Sequence, residues 1–159
     1  MIWAILAVAA AVFGIVFYFS YKEHKKLVAA GEILSRATNF MEKGEEFTLS
    51  LPDSASVTEG NRNLPYEKMS VSVKGNSEDQ FFRFQGTKWT AMLRRQSEES
   101  GISVYRFEFT GWKTSRGMAE DSLNMNRLQT AIEKMFLRLD PETTVREFPL
   151  ELKTRHSLL

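Results

Sequence analysis

Three patterns of hydrophobic and polar positions follow one another along this chain. The first is unbroken. From Ile2 to Phe19, IWAILAVAAAVFGIVFYF, no residue is charged and none is proline. As a helix it would be about 27 Å long, close to the hydrocarbon thickness of a bilayer. It is apolar on all sides, unlike an amphipathic core helix. It lacks the basic N-terminal region of a secretory signal, and its alanines lie mid-run rather than at a cleavage site. The stretch therefore reads as a retained transmembrane anchor. Ile2, Trp3, Phe13, Phe17, Tyr18 and Phe19 are its membrane-contacting residues, with Trp3 and Tyr18 near the two interfaces.

The second pattern is helical. In YKEHKKLVAAGEILSRATNFMEK, 21–43, residues Leu27, Ala30, Leu34, Ala37 and Met41 recur at spacings of three and four,. This predicts a juxtamembrane helix continuing out of the anchor and stopping at Gly44. Its stripe packs on the protein's own sheet or forms a seam with a second helix.

The third pattern alternates. Phe47, Leu49 and Leu51 predict a strand ending at Pro52. The polar stretch 53–68 reads as a long loop. Met69, Val71 and Val73 predict a second strand. Residues 81–85 and 89–95 predict a hairpin around Gly86-Thr87-Lys88, and a turn at 97–101 leads to a strand over 102–110. In that strand Tyr105, Phe107 and Phe109 share one face. Together these predict an antiparallel meander of about five strands. Helical spacing then returns over 117–139, where Met118, Met125, Leu128, Ile132, Met135, Phe136 and Leu139 form a face to cover the sheet. Glu120 and Asp121 suit its first turn. Phe148, Leu150 and Leu152 predict a final strand that Pro149 confines to an edge.

The fold class expected is thus α+β: a transmembrane helix continuing into a juxtamembrane helix, a five-stranded meander, a long C-terminal helix packed on it, and an edge strand. The divisions are 1–21 anchor, 22–44 juxtamembrane helix, 45–153 α+β domain and 154–159 tail.

Charge refines this picture. Lys22, Lys25 and Lys26 follow the apolar run and no cation precedes it, which places the domain on the cytoplasmic side of a cell membrane. Over the whole chain 21 basic residues balance 20 acidic ones, so the chain lacks the basic excess of a general nucleic-acid binder. With no cysteine there is neither a disulfide nor a thiolate site,.

Catalytic chemistry is not legible. His24 and His156 lie in the basic flank and the tail, away from any expected cleft. Acidic pairs such as Glu45-Glu46 sit at strand ends or turns, where solvated charge is normal, and neighbours in a strand point to opposite faces. No nucleotide-binding glycine motif occurs. No cofactor, metal or enzymatic activity is expected. Two groups suit an anion or a partner: Arg83, Arg95 and Arg106, if they share the sheet's outer face, and Lys113 with Arg116, next to a helix N-terminus. The chain reads as a single-pass binding domain, an accessory or assembly subunit whose partners are the bilayer and a membrane protein or a second copy. The alternative is a lipid or apolar-ligand site between the sheet and the C-terminal helix.

Overall fold

The computed structural model describes residues 2–50 and 53–151, with side chains from Val8 onward. The chain divides into two compact units, Met1–Ser35 and Arg36–Leu159.

The first unit is built on helix α1, Ile2–Ala29. Of the apolar run, side chains are described for 8–19, twelve residues. That is about 18 Å of helix against a hydrocarbon core of about 30 Å. Among the described residues no helix is long and apolar enough to cross a membrane, so the expected transmembrane span finds no support there. The side chains of Ile2 and Trp3 lie outside the described set. Phe13, Phe17, Tyr18 and Phe19 are all exposed.

The expected juxtamembrane helix to Gly44 does not form. Helix α1 stops at Ala29, and Gly31 takes a left-handed φ of 68°. The Gly31 amide donates to Val28 O at 2.9 Å and the Glu32 amide to Leu27 O at 2.9 Å. These paired bonds are a Schellman C-cap, which satisfies carbonyls a helix end otherwise leaves open. The stripe 27–41 is therefore not one helical face. Phe40 and Met41 instead enter the second unit's core through a 3₁₀ turn, Phe40–Glu42.

The second unit is α+β. In chain order it contains β1 (Lys43–Leu49), α2 (Ser54–Arg62), β2 (Ser72–Asn76), β3 (Phe81–Gln85), β4 (Trp89–Glu99) and β5 (Ile102–Trp112). A two-stranded ribbon follows, β6 (Thr114–Ser115) and β7 (Met118–Ala119), then α3 (Ser122–Leu139) and β8 (Thr144–Pro149). The main sheet is antiparallel with order β2-β3-β4-β5-β1-β8. The meander thus covers only β2 to β5. The first strand does not join β2, as a five-strand meander requires. It inserts beside β5, with Phe47 opposite Tyr105, and β8 forms the expected outer edge beside it.

Two further expectations are corrected. The polar stretch 53–68 is not a loop: Asp53 caps α2 by accepting the Ser56 amide at 2.8 Å,. Helix α2 then buries Val57, Thr58 and Asn61, so capping and burial override a Ser-, Thr- and Gly-rich composition with poor helix propensity. Met69 lies in a second 3₁₀ turn, Tyr66–Met69, and strand β2 begins only at Ser72. Leu51, Pro52, Leu152 and the tail with His156 lie outside the described residues.

The core lies between the inner face of the sheet and α3 with α2. Phe47 and Phe136 stack with centroids 4.5 Å apart, and Tyr105 meets Phe136 at 5.2 Å. Met125, Leu128, Ile132 and Met135 fill the same layer. Each fully buried large apolar side chain contributes about 1.5–3 kcal/mol. Met118, expected on this face, is exposed in β7.

Candidate functional site

Side-chain parity decides where each expected arginine lands. In β4, Trp89, Ala91 and Leu93 are buried, so the alternating residues Met92 and Arg94 face outward,. In β5, Tyr105, Phe107 and Phe109 point inward and Arg106 and Glu108 outward. Arg83, between buried Phe82 and Phe84, is also outward. Arg83 and Arg106 therefore share the outer face as expected, but Arg95 does not. Its place is taken by Arg94, which stands in register with Arg106. The signal was available in the spacing of Trp89, Ala91 and Leu93.

On that outer face Arg106 donates from Nε to Glu108 Oε2 at 2.9 Å and lies over the Phe148 ring at 3.8 Å. The ring sits on Gly44, where a Cβ would come within 2.1 Å of Phe148 Cζ. Only glycine lets β8 lay this ring flat across β1. Next along the face, Arg146 donates to Glu46 at 2.8 Å. Arg83 has its guanidinium 5.9 Å from the Phe81 ring.

Arg95 lies on the helix-covered face, where it donates to Ser54 Oγ at 2.7 Å and pairs with Glu98. It borders a polar network. Tyr105 donates its hydroxyl to Gln80 Oε1 at 3.1 Å, and Gln80 Nε2 donates to Thr58 Oγ1 at 2.9 Å. Burial pushes the Tyr105 hydroxyl's pKa up, with Arg95 pulling it back. Gln80 forms one wall of an open cleft of about 600 Å³ that Ser54, Glu59, Arg62 and Glu78 also line. The cleft offers donors and acceptors of both signs. Sequence reasoning missed it because it depends on α2.

The 112–117 link is not a helix N-terminal loop. It leads into the β6–β7 ribbon, whose tip residues Arg116 and Gly117 have φ of 51° and 79°. Lys113 and Arg116 are exposed. Asp121, not a first-turn residue, occupies the N-cap of α3. Its Oδ2 accepts Trp89 Nε1 at 3.0 Å and its Oδ1 accepts Asn124 Nδ2 at 2.7 Å. A carboxylate at this position opposes an anion there.

One buried charge cluster was not anticipated. Arg36 Nη1 donates to Glu45 Oε1 and its Nη2 to Glu133 Oε2, both at 2.6 Å. Glu45 is 2% exposed, not the solvated strand-end residue its sequence position indicated. It shares the parity of Phe47 and Leu49, which was the available signal. Burial pushes its pKa above the ordinary 4.5, while Arg36 pulls it down, Glu133 adds a further upward push and Gln129 a downward one. Both carboxylates are committed to one guanidinium, an arrangement that ties β1 and α3 to the segment before β1.

Lys22, Lys25 and Lys26 lie exposed on α1, with Lys25 Nζ 5.0 Å from the Tyr21 ring. His24 is exposed on the same helix. Among the described residues no group of three or more His, Cys, Asp or Glu is placed to hold a metal ion. No protein-family model matches the chain, and no curated protein matches it.

Proposed function

We propose that α1 anchors this chain in a membrane and that Arg36–Leu159 is a binding domain, acting as an accessory or assembly subunit of a membrane complex. The observation that carries the reading is the exposure of large apolar side chains along the described part of the apolar run in α1, 8–19. Val8, Val12, Phe13, Ile15, Val16, Phe17 and Phe19 are each more than half exposed, and Ala10, Ala11, Gly14 and Tyr18 fill the rest of the helix circumference, so 8–19 carries no charged face,. Lipid is the solvent such a surface suits, since burying each large apolar side chain is worth about 1.5–3 kcal/mol. The sequence extends the run through 2–7 to about the bilayer thickness. The cluster Lys22, Lys25 and Lys26 favours a cytoplasmic domain. Close ring packing between Phe47, Tyr105 and Phe136 favours a filled core over a ligand chamber, so the binding role goes to the surface.

Alkaline carbonate washing of membranes tests the anchor: the full chain is expected in the pellet, and its release refutes the reading. Because the sequence has no cysteine, a single Ser100→Cys reports sidedness. Labelling of intact cells by an impermeant maleimide would place the domain outside.

A further inference from the structure

The outer face of the sheet carries like charges set directly opposite one another. Lys74 of β2 is in register with Arg83 of β3, and Arg94 of β4 with Arg106 of β5. Such cross-strand pairs weaken a sheet. Arg106 is compensated by Glu108 and the Phe148 ring. Among the described residues Lys74, Arg83 and Arg94 have no carboxylate partner, and the Nε of Arg94 is buried without an acceptor. Four cations therefore run diagonally from β2 to β5, across three strand spacings or about 15 Å.

We propose that this diagonal is the docking surface for an acidic helical segment of a partner protein. The proposal rests on the reading that the domain binds another protein. A helix laid across the strands presents side chains at i, i+3 and i+4 about 5–6 Å apart, close to the strand spacing of about 4.8 Å. About ten residues of helix cover the diagonal. Phe81 and Met92, opposite Arg94 and Arg83 in register, seat apolar side chains between the carboxylates. The rest of the face favours a narrow protein segment over a lipid surface. An anionic lipid plane would also press on Glu46 of β1, beyond the diagonal, whereas a segment ending at β5 meets only Glu108, which Arg106 already neutralises.

The test uses the full chain in phosphatidylcholine nanodiscs and a fluorescent alanine-based helical peptide with glutamates at successive i, i+3 and i+4 positions. A glutamine counterpart serves as control. The glutamate peptide is expected to bind, with affinity falling as salt screens the charges, and the glutamine peptide not to bind. Arg83→Glu with Arg94→Glu is expected to weaken binding about tenfold or more without lowering the unfolding midpoint, because the change removes like-charge pairs. Lys113→Glu with Arg116→Glu leaves binding unchanged. Equal binding of both peptides, no binding, or undiminished affinity in the Arg83/Arg94 variant overturns the proposal. Binding of the chain's outer face to phosphatidylserine vesicles in place of the peptide does so too. Carbonate extraction of the double variant is scored separately, so loss of peptide binding leaves the anchor reading standing.

Discussion

Replacing Arg36 with methionine keeps most of the side chain's volume and removes its charge. In the folded protein that guanidinium holds Glu45 and Glu133 at 2.6 Å each, with exposures of 9% for Arg36, 2% for Glu45 and 18% for Glu133. Removing one partner of a buried ion pair costs about 3–5 kcal/mol, because the remaining charge stays desolvated. Glu133 reaches water in part, so the lower end applies, about 3 kcal/mol. For a domain of this size that lowers Tm by about 10 °C. The pH dependence gives the prediction its signature. Glu45 has a raised folded pKa, so its contribution is fully present below the ordinary 4.5 and is lost as pH rises through the folded value,. Taking away Arg36 removes the largest force pulling that pKa down, so the loss deepens on the alkaline side. Arg36→Met is therefore expected to cost more at pH 8 than at pH 5, and Glu45→Gln in the same background to restore part of it. Urea unfolding in mild detergent, followed by tryptophan fluorescence, reads this out, since Trp89 is 2% exposed and bonded to Asp121. Equal losses at the two pH values, or a loss below about 1 kcal/mol at both, would refute the reasoning.

Three other changes probe different parts of the fold. Phe136→Ala empties the place where Phe47 and Tyr105 meet α3 and is expected to cost about 3–5 kcal/mol in urea unfolding; a cost under about 1 kcal/mol would mean the rings are not a close-packed core. Gly44→Ala drives a methyl into the Phe148 ring and is expected to destabilise by about 1–3 kcal/mol, with Phe148→Ala in the same chain relieving it. No relief would show that the strain lies elsewhere. Asp140 accepts the Ser50 amide at 2.8 Å, which foremost holds its pKa below the ordinary 3.8. Its contribution is present above 3.8 and fades as pH falls through the lower folded value. Asp140→Asn should therefore flatten the acid limb of a stability–pH profile, and an unchanged limb would contradict this.

Particular residues show which parts of the fold and the candidate surface were legible. Alternation placed Tyr105, Phe107 and Phe109 inward and Arg83 and Arg106 outward, because strand parity is local. Arg95 was misassigned although Trp89, Ala91 and Leu93 fix its parity. Gly31 was passed over as a helix stop in favour of Gly44, yet Gly44 is needed for the approach of Phe148, a residue far along the chain. Helix α2 was hidden because its composition resembles a loop, and the stabilising contacts come from Asp53 capping and from burial against α3. Glu45 looked solvated because neither Arg36 nor Glu133 is near it in sequence.

The sequence alone determined which residues form strands and helices in most of the chain, which side of each strand faces inward, and where the apolar run lies. These follow from periodicities of a few residues. Only the tertiary structure decided that β1 pairs with β5, that Arg36 joins two carboxylates, and that four cations of β2–β5 align. Strand order and register bring together residues tens of positions apart, and no local pattern encodes which strand will lie beside which. That choice is made by the shared core they bury.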